Sequence, residues 1–260
     1  MRSQSRFAIK LIALYALLVG SSITFSQVLV APDLPTSRGQ TLSRFSSASN
    51  AQPPAPWRAV GVPGGKIPLT RFDITELDGR KVLRVEASKS YGNLVHALPP
   101  AVADPGLRLR WRWRLELPLA NADLRRREAD DSPLKVCALF EIPLEKLGLI
   151  ERNLLRLARS VSGESLPSAT LCYVWDATLT PGTLLSNAYT PRVRMIVVDS
   201  ANSQLNQWVS HTQDLATDFH RAFGDESATL PPLQGVLVGG DSDNTGGHSL
   251  GYVGDVTLSP

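Results

Sequence analysis

At 260 residues the chain has room for one well-buried domain with additions, taking roughly 100–200 residues per domain. Its 43% hydrophobic and 20% charged residues are those of an ordinary globular protein. A net charge of +3, much of it at the N-terminus and around Leu124–Arg127, is too small to argue for a nucleic-acid partner, and none is expected.

The first segment has the layout of a secretory signal peptide. Arg2, Arg6 and Lys10 precede the apolar run Leu11–Val19, which is short for a bilayer span, and small residues follow up to Ser26. Residues 1–26 are therefore read as a signal peptide, with an uncleaved anchor as the alternative, and the protein as periplasmic or secreted. Membrane contact is expected only through this segment, if it is uncleaved. Residues 27–56, rich in Ser, Pro, Ala and Gln, read as a flexible linker, and residues 57–260 as a single domain. Cys137 and Cys172 lie in the apolar runs VCALF and LCYVW; a bridge and a pair of buried thiols both fit.

Arg71–Thr75 and Val82–Glu86 alternate on either side of Leu77-Asp78-Gly79-Arg80, a hairpin signal. Tyr91–Leu98 is a further strand, expected to stop at Pro99-Pro100. Leu107–Leu117 alternates strictly, with Leu and Trp on one face and Arg108, Arg110, Arg112, Arg114 and Glu116 on the other, as a half-buried strand does. The arginines can fork onto acidic groups, but cross-strand pairing with acids such as Glu86 is the expected use. Leu134–Phe140, Leu171–Trp175, Val193–Val198 and Trp208–His211 are further strands.

Between them, Leu144 to Val161 carries apolar residues at three- and four-residue spacing, an amphipathic helix expected to pack on the sheet. Asp214–Phe223 is a short helix with Asp214 near its cap and Gly224 as its stop. Many short strands and two helices give an all-β fold class: a jelly-roll-like antiparallel β-sandwich with an inserted amphipathic helix and one short C-terminal helix.

The run Gly235–Leu258 closes the chain: an apolar strand, the loop DSDNTGG, then a strand containing Gly254-Asp255. The loop opens like the first half of a calcium loop, but Tyr252 stands where the bidentate Glu belongs. Its glycines Gly239, Gly240, Gly246 and Gly247 suit positive φ.

WRWRLELPLANADLRRREADDSPLKVCALF, LCYVW, DFHRAFG and GGDSDNTGGHSLGYVGDV together resemble the bacterial family known as domain of unknown function 3047, over roughly Trp57 to the C-terminus. The family's W-x-W strand matches Trp111 and Trp113, and its Y-V-W element matches Tyr173, Val174 and Trp175. Its Asp-Asp pair matches Asp130 and Asp131, its D-x-D-N-T-G loop matches Asp241, Asp243, Asn244, Thr245 and Gly246, and its final G-D matches Gly254 and Asp255. Where the family usually has Arg after the acidic pair, this chain has Lys135, a point charge in place of a fork. The resemblance implies an exported sandwich similar to carbohydrate-binding modules, and no known activity.

The expected ligand site is Asp130, Asp131, Lys135, Asp241, Asp243, Asn244, Thr245 and Asp255. A metal set of Asp241, Asp243 and Asp255 is weighed against a turn that bonds its own backbone. No organic cofactor is expected; calcium is the ion the loop suits. No H-E-x-x-H, Walker or dinucleotide motif is present. The expected function is a non-catalytic exported module for a glycan or an acidic envelope molecule. A carboxylate-dependent glycan-active enzyme and an envelope protein-interaction domain are the alternatives.

Overall fold

The computed structural model describes residues 40–260 apart from Val102, Gly163 and Glu164, so the expected signal peptide and the first part of the expected linker lie outside the described residues. In chain order the strands are β1 (Arg58–Val60), β2 (Arg71–Leu77), β3 (Arg80–Ser88), β4 (Tyr91–Ala101), β5 (Arg108–Leu117), β6 (Lys135–Phe140) and β7 (Ala169–Asp176). They continue as β8 (Leu184–Ser186), β9 (Val193–Ser200), β10 (Val209–Asp214), β11 (Leu233–Asp241), β12 (His248–Val253) and β13 (Thr257–Ser259). Helix α1 (Leu149–Ser162) joins β6 to β7, and α2 (Leu215–Phe223) follows β10.

Two curled sheets face each other as a jelly-roll-like sandwich. One runs β1-β4-β11-β6-β7-β9-β8; the other runs β10-β5-β12-β3-β2, with β13 also paired to β5. The pairings are antiparallel except β7 with β9.

The alternation of β5 places its Trp and Leu residues in the core. Leu109, Trp111, Trp113 and Leu115 are buried between the sheets, whereas Leu117 at the strand end is exposed. The indole of Trp113 donates to Asp199 at 2.6 Å, and Asp199 also takes His211 at 2.9 Å and the Ser203 hydroxyl at 3.1 Å. This buried carboxylate is therefore fully partnered, as interiors require. The arginine face of β5 is engaged across and along the sheet. Arg114 pairs with Glu116 and Asp78, Arg108 with Asp214, and Arg112 stacks 4.5 Å over Trp208. Glu86, the expected partner, pairs instead with Arg84 and His248.

Turn chemistry sets the β2–β3 hairpin: Asp78 and Gly79 both have positive φ, 52° and 70°. α2 is capped as expected, Asp214 accepting from the Thr217 amide at 2.9 Å, with Leu215, Phe219 and Phe223 buried. Contrary to expectation, β4 continues through Pro99-Pro100 to Ala101. β1 covers only Asn93–Val95, so the prolines lie beyond β1's pairing, where edge-strand prolines are tolerated. The C-terminal segment is likewise two strands, β12 and β13, broken around Gly254-Asp255-Val256.

The seven-stranded sheet is covered on both faces, which explains why β7 is buried throughout. On its outer face Leu124, Val174, Met195, Val197 and Leu237 gather around Cys137 and Cys172. These cysteines sit directly opposite each other on β6 and β7, with Cα atoms 4.0 Å apart, and form a disulfide. The bridge closes a span of 35 residues, so a Cys137→Ala, Cys172→Ala chain should lose about 4 kcal/mol, read by urea unfolding.

Two segments depart from expectation. Residues 40–56 pack as part of the fold: Leu42, Phe45 and Ala48 are buried in the main core, and the Trp57 indole donates to the Ser43 carbonyl. Three apolar residues at three-residue spacing suffice to hold this polar stretch down. α1 does not lay its apolar stripe on a sheet. Leu155 is its buried apolar side chain, while Leu149, Ile150, Leu154, Leu157 and Val161 are exposed. α2 packs on the main core through Leu215, Phe219 and Phe223, and Leu179 and, from β8, Leu185 cover the cluster around the disulfide, whereas α1 meets the core through Leu155.

Candidate functional site

At one end of the seven-stranded sheet, the start of β6, the end of β11 and the start of β4 lie side by side. Gly239 faces Lys135 on one flank and Asn93 on the other, and Asp241 faces Tyr91. Their side chains share the outer face, because outward Cys137 and Leu237 lie two residues away on β6 and β11. Gly239 leaves room for its neighbours: a Cβ there would come within 2.5 Å of Asn93 Oδ1 and 2.7 Å of Lys135 Cε, so both side chains would have to move. Of the four loop glycines, Gly246 alone has positive φ, 67°. Gly239 and Gly240 serve close approach within a strand.

Lys135 is the centre. Its ammonium donates to Asp241 Oδ1 at 3.1 Å and sits 5.3 Å above the Tyr91 ring. Both partners are largely enclosed. Burial opposes the lysine's charge, but Asp241, with help from Tyr91 and Asp130, more than offsets it and raises the Lys135 pKa. For Asp241, burial pushes the carboxyl up and Lys135 draws it back. The net direction for Asp241 is upward, burial prevailing over the lysine. Asp241 also exchanges two hydrogen bonds with Ser132: its amide donates to the Ser132 carbonyl at 2.9 Å, and Oδ1 accepts the Ser132 amide at 3.1 Å.

Asp131 clamps the loop after β11. Oδ1 accepts the Asn244 amide at 3.1 Å, and Oδ2 accepts both the amide and the hydroxyl of Thr245 at 2.7 Å. Asp130, on the neighbouring side, accepts from the Asn187 amide group at 2.7 Å, while its carbonyl takes the Asn244 side chain. The Tyr189 hydroxyl donates to the Arg127 carbonyl at 2.6 Å and stands 3.2 Å from Asn244 Oδ1. A continuous polar band results, from Tyr91 and Asn93 through Lys135 and Asp130 to Asn187, Tyr189 and Asn244.

Seven of the eight expected residues therefore gather, from segments more than 100 positions apart. Asp255 does not. It accepts the Ser46 amide at 2.9 Å and the Ser46 hydroxyl at 2.6 Å, pinning the N-terminal segment. β12 runs its full length between the loop and Asp255, roughly 20 Å of extended chain. The expected metal set of Asp241, Asp243 and Asp255 is corrected accordingly: carboxylates of Asp131, Asp241 and Asp243 approach within 4.8 Å of one another.

That cluster offers oxygens suited to a hard cation, but two of its acids have other work. The Lys135 ammonium already meets the charge of Asp241, and Asp131 is taken up by three loop donors. Thermal unfolding should consequently show the same midpoint in EDTA and in millimolar calcium. A calcium-dependent rise would identify a bound ion.

Tyr91, Asn93, Asn187 and Tyr189 were not legible as site residues. Tyr91 read only as a strand start, and the stretch around Asn187 carried no motif.

The fold and site define an all-β sandwich domain with a polar site on the rim of one sheet. The chain belongs to the family described as protein of unknown function DUF3047, which matches residues 55–257. No curated protein matches the sequence.

Among solved structures it is similar to the K1 cleaved adhesin domain of Lys-gingipain from Porphyromonas gingivalis W83. That match has 12% identity and a TM-score of 0.37 over 85% of this chain and 98% of the other. It is similar to Trichoderma harzianum endoglucanase 3 of family GH12 at 8% identity and a TM-score of 0.36, over 80% and 98%. The glycoside hydrolase domain structure of Endo-D from Streptococcus pneumoniae R6 matches at 11% identity and a TM-score of 0.31, covering 78% of this chain and 21% of that one.

Proposed function

We propose that the chain is an exported, non-catalytic binding module whose ligand is a glycan or an acidic component of the cell envelope, taken up along the band from Tyr91 to Tyr189. One observation carries this: the central carboxylates are committed to the protein, while partly exposed rings and amides surround them. Asp131 is bound by loop donors and Asp241 by Lys135 and Ser132, so neither is placed to pass a proton to a bound sugar. Tyr91, Asn93, Asn187, Tyr189 and Asn244 are partly exposed, and rings and amides of this kind, held in place by the protein, present edges to a sugar. The disulfide fits an oxidising compartment, periplasmic or extracellular. Among the described residues no helix is long and apolar enough to cross a membrane.

The test is an array of bacterial surface polysaccharides together with a lipopolysaccharide pull-down. Wild type should bind at least one class, and a Tyr91→Ala, Asn93→Ala chain should bind it at least about tenfold more weakly, a loss of about 1.4 kcal/mol. Blank results on both formats for wild type would remove the proposal. Turnover of a bound glycan, abolished by Asp241→Asn in a folded chain, would favour the enzyme alternative.

A further inference from the structure

α1 is amphipathic in the inverted sense. Two of its charged residues face the protein: Arg159 donates through Nη2 to both Glu141 oxygens at 2.8 and 3.0 Å and through Nε to the Leu166 carbonyl, and Glu151 pairs with Arg192 at 3.5 Å. Apart from Leu155, its large apolar residues face out. Ile150 is 76% exposed, Val161 53%, Leu154 46% and Leu157 36%, and at 3.6 residues per turn these four share one stripe about 60° wide. With Leu149 they make up five of the eight large apolar side chains exposed among the described residues, so the exposure is concentrated on this element. Lys146, just before α1, and Arg156, on a flank of it, are exposed cations, and Glu145 is an exposed acid.

The position of the helix matters as much as its chemistry. The described chain begins at Gln40, whose side chain donates to the Pro99 carbonyl near the end of β4. In the sheet, Ala101 of β4 faces Leu233, which faces Phe140 at the end of β6. Two strand spacings, about 10 Å, separate these ends. Glu141, the residue that holds Arg159, follows Phe140 directly. The chain thus enters the domain at the same end of the sheet that carries α1. The preceding 39 residues include the basic start and the apolar run Leu11–Val19.

We propose that α1 docks on a lipid bilayer, with Ile150, Leu154, Leu157 and Val161 in the headgroup boundary and Lys146 and Arg156 at anionic headgroups. In the uncleaved chain the interfacial helix adds a second membrane contact to the N-terminal one. It would hold the domain in a fixed orientation at the membrane, where the sequence suggested a loose tether.

Because the two cysteines of the chain are joined to each other, a Leu154→Cys substitution in the full chain creates a unique site for an environment-sensitive fluorophore. Glu76→Cys, exposed on β2 of the other sheet, is the control. The probe is a vesicle of phosphatidylethanolamine and phosphatidylglycerol into which the full chain is reconstituted, with a brominated lipid as quencher. The expected result is a blue shift and bromolipid quenching at position 154 and neither at 76, with the signal lost when Ile150→Glu and Leu157→Glu are added. A label at 154 that stays aqueous on the vesicles overturns the proposal. So does a blue shift without lipid that grows with protein concentration, since a second copy would then cover the face.

Discussion

Replacing Lys135 by Met is expected to cost about 3–5 kcal/mol, because it leaves the Asp241 carboxylate buried without its cation. The cost should be specific to the unpaired charge. A Lys135→Met, Asp241→Asn double variant should recover most of it, since Asn keeps an acceptor for the Ser132 amide and carries no charge to bury. Urea unfolding of the four chains in the cycle measures the coupling. Additive losses would mean that the pair contributes little.

The pH dependence has a definite sign. Folding raises the Lys135 pKa above the ordinary lysine value, the effect of Asp241 prevailing over burial. The native state then holds the proton more tightly than the unfolded chain. The contribution is complete below about pH 10 and is lost as pH rises beyond the ordinary lysine range. Wild type should lose stability there faster than the Lys135→Met chain does.

The second large effect is expected at Asp131. Its carboxylate gathers three donors of the loop Ser242–Gly247, and each hydrogen bond to a charged group contributes about 1.5–3 kcal/mol. The three act as a unit and do not add fully, so Asp131→Ala should destabilise by about 4–5 kcal/mol. At about 2–4 °C per kcal/mol for a domain of this size, the midpoint should fall by roughly 10–20 °C. Amide exchange at Asn244 and Thr245 should accelerate while β5 and β7 stay protected. If exchange at those amides is unchanged, the clamp is not what orders the loop. Asp131→Asn retains one acceptor oxygen and should lose less.

These two residues are also the instructive ones for what could be read from the chain. Asp131 and Lys135 stood out locally through the acidic pair and its neighbour. That they meet a loop more than 100 positions later depends on β6 and β11 being sheet neighbours, and strand order is not a local property. Asp255 shows the converse. It lies close to Asp243 in sequence, yet β12 carries it away, because an extended strand separates its ends by about 3.3 Å per residue.

By itself the sequence determined whatever rests on short-range chemistry. The alternation of Leu107–Leu117 set which face of β5 is buried, Asp78-Gly79 set a tight hairpin, and Asp214 set the start of α2. In each case the deciding contacts lie within a few residues. The tertiary structure alone decided the disulfide, the membership of the site, the packing of residues 40–56 and the orientation of α1. Periodicity states that a helix has an apolar face; which surface remains for that face to meet is settled only after the sheets have buried everything else.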